Sequence, residues 1–151
     1  MNQQELKVLQ INFSDSLGGA ARACLRINTA LRSKKIDSNV LVLLKQTNSD
    51  TVIEYGNTLL SKAFGKWSFY RSLFTSKFLI KSHTVPFSTG KRGVNISDMP
   101  EVKKADILHL HWINHGFLSL TEIKKLAALN KKIIWTFHDT WGATGGCHVR
   151  N

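Results

Sequence analysis

Apolar and polar positions follow two rhythms along this chain. Residues 7–12 (Lys-Val-Leu-Gln-Ile-Asn) and 39–44 (Asn-Val-Leu-Val-Leu-Leu) are short apolar runs of strand length. The second run is unbroken, which predicts a strand covered on both faces, as in a parallel sheet. A turn-rich loop at 14–19 (Ser-Asp-Ser-Leu-Gly-Gly) leads into a predicted helix from about 19 to 35. There Ala20, Ala23, Cys24, Ile27, Ala30 and Leu31 recur at helical spacing, while Arg22, Arg26 and Arg32 fall outside the stripe. Later, Ile107 to Leu110 predicts a strand, 121–129 a helix with Ile123, Leu126 and Ala127 inward, and 132–137 another strand.

The middle of the chain departs from this alternation. Leu60, Ala63, Phe64, Trp67, Tyr70, Phe74 and Phe78 form an aromatic stripe at spacings of three and four, with Lys62, Lys66, Ser72 and Ser76 on other faces. The pattern predicts a basic amphipathic helix over 59–81, interrupted near Gly65. Its aromatic stripe is expected to pack on the sheet or on a further domain. Residues 83–95, with Pro86, Gly90 and Gly93, read as irregular, and Ser97 as the N-cap of a short helix through Lys104.

Strands alternating with helices predict an α/β fold, a Rossmann-like parallel sheet flanked by helices, in a single domain over 1–151. With right-handed crossovers every strand points the same way, and ligands bind beyond the carboxyl ends. The loops 13–19, 111–116 and 138–147 all fall on that edge in this reading. Gly18-Gly19 precedes a helix start, where backbone amides favour an anion. It lacks both the P-loop ending and the third glycine of the dinucleotide fingerprint, so it also reads as a tight strand-to-helix turn. His109 and His111 lie two apart on one strand and share a face. His109 reads as a hydrogen-bonded core histidine, and His111, nearer the strand end, as the one exposed to solvent or ligand. Trp112 either walls a pocket or packs. His138-Asp139 is the stronger functional candidate, since a histidine beside a carboxylate can act as acid, base or donor; the alternative is an N-capping Asp139. No histidine or cysteine spacing matches a known metal motif, and no Gly-x-Ser-x-Gly or Cys-His pattern points to a hydrolase.

Charge adds a partner class. The formal net charge is +11, and no acidic residue lies between Glu54 and Asp98, an interval holding Lys62, Lys66, Arg71, Lys77, Lys81, Lys91 and Arg92. Such a field suits a phosphate ligand, an anionic membrane face or nucleic acid; no nucleic-acid motif is present, so that partner is not expected. No apolar run approaches the roughly 18 residues that span a bilayer. Cys24 and Cys147 suggest no disulfide framework, and with no signal-peptide pattern at the N-terminus the expected location is cytoplasmic.

Several segments resemble bacterial glycosyltransferases of family 4. They are Val8-Leu-Gln-Ile-Asn12, Gly18-Gly-Ala-Ala-Arg22, residues 106–114 (Asp-Ile-Leu-His-Leu-His-Trp-Ile-Asn) and Phe117-Leu-Ser-Leu120. Nearest to the family pattern are Trp135-Thr-Phe-His-Asp-Thr-Trp141 and Thr144-Gly-Gly-Cys-His148. The resemblance implies the N-terminal, acceptor-side half of a GT-B fold, in an enzyme of cell-surface polysaccharide synthesis that retains anomeric configuration and needs no metal or other cofactor. It implies that Gly18 and Gly19 approach donor phosphates or acceptor, that His138 contacts the transferred sugar, and that Asp139 and Trp141 shape that wall; from their own position at the strand end, His111 and Trp112 are expected to join the substrate-binding residues. The partners implied are a nucleotide-sugar donor and a saccharide or lipid-linked acceptor at the inner face of the cell membrane. The family's Glu-x7-Glu donor motif is not among these residues, so the 151-residue chain alone is expected to show negligible turnover. The alternative is a non-catalytic module that binds carbohydrate or anionic surfaces.

Overall fold

A computed structural model of the protein describes residues 5–56, 58–79, 87–144 and 146–149. Its elements run β1 (Lys7–Ser14), α1 (Gly18–Ser33), β2 (Asp37–Leu44), β3 (Val52–Glu54), α2 (Leu59–Leu79), α3 (Pro100–Lys104), β4 (Ile107–Leu110), α4 (Leu120–Ala127), β5 (Lys132–Trp135) and α5 (Trp141–Thr144). The five strands form one parallel sheet in the order β3-β2-β1-β4-β5. The expected α/β class, a parallel sheet flanked by helices, is the fold observed. The expected helix end at residue 81 and the irregular residues 83–86 lie outside the described residues.

Period-two alternation sorts each strand between two layers. Leu9, Ile11 and Phe13 of β1 and Leu108 and Leu110 of β4 join Val94, Ile96, Val102, Phe117 and Leu126 in the larger core. Each fully buried side chain of that kind contributes about 1.5–3 kcal/mol. On the opposite face, Cys24 packs with Val40, Val42 and Val52. The buried positions of α1 are Ala21, Cys24 and Asn28, and Ala30 is exposed, so the inward stripe is rotated from the predicted one. Asn28 takes an inward place because its Nδ2 donates to Thr51 Oγ1 at 3.1 Å.

Helix α2 departs most from expectation. It is continuous through Gly65, because glycine there lets the helix approach β2; a Cβ would lie 2.9 Å from Leu43 Cδ1 and 3.1 Å from Tyr55 Cδ1. One turn on, the buried Ser68 hydroxyl donates to Gly116 O at 2.7 Å. This small-residue face is the docked one, and Phe69 is the aromatic residue that packs against the core. Of the predicted stripe, Leu60, Phe64, Trp67, Tyr70 and Phe74 do not pack on the sheet and are all exposed. Lys62 pairs with Glu54 at 2.7 Å, and Arg71 lies 4.7 Å over the Trp67 ring.

Smaller corrections have local causes. Helix α3 starts at Pro100 with Met99 as its N-cap, because proline is preorganised for the first helical position. Ser97 instead bonds to Asn95 Oδ1 through both its amide and its hydroxyl. Ser119 caps α4, accepting from the Glu122 amide, and Ala127 is exposed rather than inward. Strand β5 stops at Trp135, two residues short of the predicted end, and residues 141–144 of the closing loop form the helical turn α5. No helix among the described residues is long and apolar enough to cross a membrane.

Candidate functional site

The sheet order makes β1 and β4 neighbours although the chain runs from β1 to β2 on the other side. Crossovers diverge at that pair, and the crevice left at its carboxyl edge is where open α/β sheets bind ligands. Backbone pairing continues past the strands and locks the edge. His111 N donates to Ile11 O at 2.9 Å, and Phe13 N donates to Trp112 O at 2.7 Å. Asn12 Oδ1 accepts from Trp112 N at 2.9 Å while its Nδ2 donates to Ser14 O at 2.6 Å. The loop into α1 is held by buried Asp15, whose carboxylate accepts from the Gln46 and Thr47 amides at 2.8 and 2.9 Å and from Thr47 Oγ1 at 2.6 Å.

A cavity of about 460 Å³ opens on this edge, lined by Phe13, Leu17, Gly18, Gly19, Ala20, Trp112, His115, His138 and Asp139. All three predicted loops contribute to it. One wall is the start of α1; the other is the loop after β5, with the Trp112 and His115 rings between them, 4.6 Å apart and edge to face.

Behind His138 lies a buried histidine ladder. The ring of His111 is 4.2 Å from that of His109 and 5.2 Å from that of His138. His111 Nδ1 bonds to His138 Nε2 at 2.9 Å, and His111 Nε2 to Gln10 Oε1 at 2.8 Å. His109 Nε2 bonds to Thr136 Oγ1 at 2.8 Å. Burial, followed by the neighbouring His109 and His138, lowers the His111 pKa to about 3. Burial also lowers His109, with His138 adding to the effect; for His138 burial outweighs the upward pull of Asp139. The ladder is therefore neutral near pH 7.

His138 and Asp139 point apart. Asp139 Oδ2 accepts from Trp112 Nε1 at 2.7 Å and makes a short bond to His148 Nδ1, while Oδ1 accepts from the Trp141 amide at 3.0 Å. Burial pushes the Asp139 carboxyl up, but these hydrogen bonds, with the His148 charge, outweigh it and leave the pKa below the ordinary 3.8. His148 Nε2 in turn bonds to Ser88 Oγ at 2.8 Å, and Trp141 Nε1 donates to Ser88 O at 2.8 Å. Asp139 is thus a clamp that pins the closing loop to the cavity wall.

Gly18 and Gly19 differ in what they require. Gly18 has φ +78°, a conformation costly for residues with a Cβ, whereas Gly19 does not; a Cβ on either meets nothing within 4 Å. Gly18→Ala is expected to lower stability by about 1 kcal/mol, and Gly19→Ala to leave it unchanged or raise it slightly. Thermal unfolding of both variants checks this, and equal losses would contradict the geometry.

Of the residues singled out in the sequence, Gly18, Gly19, Trp112, His138 and Asp139 line the cavity. His111 does not; it is only 2% exposed, so the expectation that it meets solvent or ligand is corrected, and it supports His138 from behind. Trp141 does not line the cavity either; it is buried behind the wall, its indole tied to Ser88 and its amide to Asp139. His109 has the hydrogen-bonded, buried character expected of it. The sequence pattern assigns no site role to Gln10 or Asp15, and His115 and His148 carry no metal-motif spacing, yet the structure places all four at or beneath the cavity edge. A signal existed for Gln10, a polar residue inside the apolar run Val8-Leu-Gln-Ile11. Cys24 and Cys147 are free thiols, and among the described residues no group of three or more His, Cys, Asp or Glu could hold a metal ion. Comparison of the chain with protein-family models, with curated proteins and with solved structures finds no match.

Proposed function

We propose that this domain is the acceptor-side half of a retaining glycosyltransferase, and that its edge cavity receives part of a saccharide or nucleotide-sugar. The observation that carries this reading is the cavity at the β1–β4 crevice, with Gly18-Gly19 on one wall and His138 and Asp139 on the other. The motif resemblance gave roles to those four residues, and they line one cavity although they come from two distant parts of the chain. In this reading neutral His138 contacts a sugar hydroxyl, Asp139 holds the wall through Trp112 and the Trp141 amide, and the helix start meets phosphate or acceptor oxygens. In a GT-B enzyme the nucleotide is held by the C-terminal domain.

Titration calorimetry with a panel of nucleotide-sugars and oligosaccharides tests the reading. At least one is expected to bind, and His138→Ala to weaken that binding about tenfold, the value of one hydrogen bond. Binding unaffected by His138→Ala, or no binding across the panel, would overturn it.

A peripheral membrane role is supported by α2, whose Leu60, Phe64, Trp67 and Tyr70 are exposed beside exposed Lys66 and Arg71. Aromatic and basic residues together suit an anionic headgroup layer. Co-sedimentation with phosphatidylserine-containing vesicles is expected to fall as salt rises. Equal binding to neutral vesicles at all salt concentrations would exclude the electrostatic part.

A further inference from the structure

The polar groups under the cavity wall form an ordered chain with one direction. Gln10 is fully buried in the middle of β1. Its Nε2 donates to Ser38 Oγ at 3.4 Å, and its Oε1 receives the Cys24 thiol at 3.8 Å. Burial pushes the Cys24 pKa up to about 12, so the sulfur keeps its proton and donates. An amide oxygen can only accept, so the bond between Gln10 Oε1 and His111 Nε2 places the His111 proton on Nε2. A neutral imidazole carries one such proton. His111 Nδ1 is then an acceptor, and the bond to His138 Nε2 requires His138 to be the donor.

We propose that Gln10, acting through His111, fixes His138 as its Nε2–H tautomer, so that the bare Nδ1 is the nitrogen left for a ligand. No protein hydrogen bond to His138 Nδ1 is found among the described residues, and His138 lines the cavity. Near neutral pH His138 therefore meets a ligand as a hydrogen-bond acceptor. It favours a ligand that presents a hydroxyl or N–H there and gives nothing to a bare phosphate or carboxylate oxygen. Gln10 and His111 are positioning residues: they touch no ligand and decide which face of the imidazole chemistry a ligand sees. The assignment rests on the hydrogen-bond chain alone and stands or falls independently of glycosyl transfer.

Long-range ¹H–¹⁵N correlation spectra of the side-chain imidazoles test it on the full chain at neutral pH. Both His111 and His138 are expected to show a pyrrole-like Nε2 and a pyridine-like Nδ1. Gln10→Glu keeps an acceptor oxygen there as long as its carboxylate is ionised and His111 stays neutral, and in that state is expected to keep this pattern. Gln10→Met removes the acceptor and is expected to shift His138 toward the Nδ1–H form, seen as averaging or exchange of its two ¹⁵N shifts. A wild-type His138 protonated on Nδ1 would overturn the proposal outright, whether or not either variant folds. An unchanged wild-type pattern in folded Gln10→Met would overturn the role of Gln10.

Discussion

Lowering the pH from 7 to 5 is expected to cost the fold about 2 kcal/mol through His111 alone. The folded-state pKa of that imidazole is about 3, against an ordinary 6.5. Between those values the unfolded chain binds the extra proton and the folded chain does not. The stability contribution is therefore complete above pH 6.5 and is lost progressively as the pH falls toward 3. The cause is geometric: His111 is 2% exposed, lies between two other histidine rings, and has both nitrogens engaged by neutral partners. His109, His115 and His138 are lowered as well, so their contributions have the same sign. Urea unfolding at pH 7 and pH 5, at constant ionic strength, measures the loss, and His111→Gln should flatten the dependence. Equal midpoints for the wild type at the two pH values would show that the ladder is hydrated or charged in the folded state.

Asp139→Ala is expected to destabilise the protein by about 3 kcal/mol. The loss goes beyond a surface carboxylate, because it strands the Trp112 indole, the Trp141 amide and the His148 ring together. Those donors belong to the β4 edge, to α5 and to the closing loop, so the loop should also loosen. Faster hydrogen exchange at the Trp141 amide would report it directly. Asp139→Asn, which retains an acceptor oxygen, should cost less than the alanine variant. Because the Asp139 pKa is depressed, this part of the stability is intact above the ordinary carboxylate value of 3.8 and is lost only as the pH falls below it, after most of the histidine contribution has already gone. A change below about 0.5 kcal/mol for Asp139→Ala would contradict the clamp.

What could be read in the sequence was whatever a single strand or loop carries within itself. The runs at Leu9 and Ile11, Leu41 and Leu43, and Leu108 and Leu110 are strands because their residues alternate between two covered faces, and that is enough to place three loops on one edge. Strand β3 has only three residues, with Lys45 Nζ bonded to Val52 O, and no period is visible over so short a run. The outward turn of the α2 aromatics followed from Gly65 and Ser68, small residues that decide which face can approach β2 and Gly116. No hydrophobicity pattern ranks a glycine and a serine above a stripe of aromatics.

In the site, the distinction between contact and support was what the sequence did not carry. His111 and His138 look equally exposed at the ends of two strands; only the partner 101 residues away in sequence, Gln10, shows that the first is buried behind the second. Trp141 likewise reads as a cavity wall until Ser88 is found under its indole. Gly18, Gly19, Trp112, His138 and Asp139 were legible because each sits where a loop leaves the sheet edge, a position set by topology rather than by a particular partner.

Chemical-shift mapping of the backbone amides during a saccharide or nucleotide-sugar titration tests the central claim most directly. The perturbed amides are expected to cluster at Gly19, Ala20, Trp112, His115 and His138, around the cavity on the β1–β4 edge. Perturbations confined to another surface, such as the smaller cavity at Thr89, Lys91 and Arg92, would contradict it.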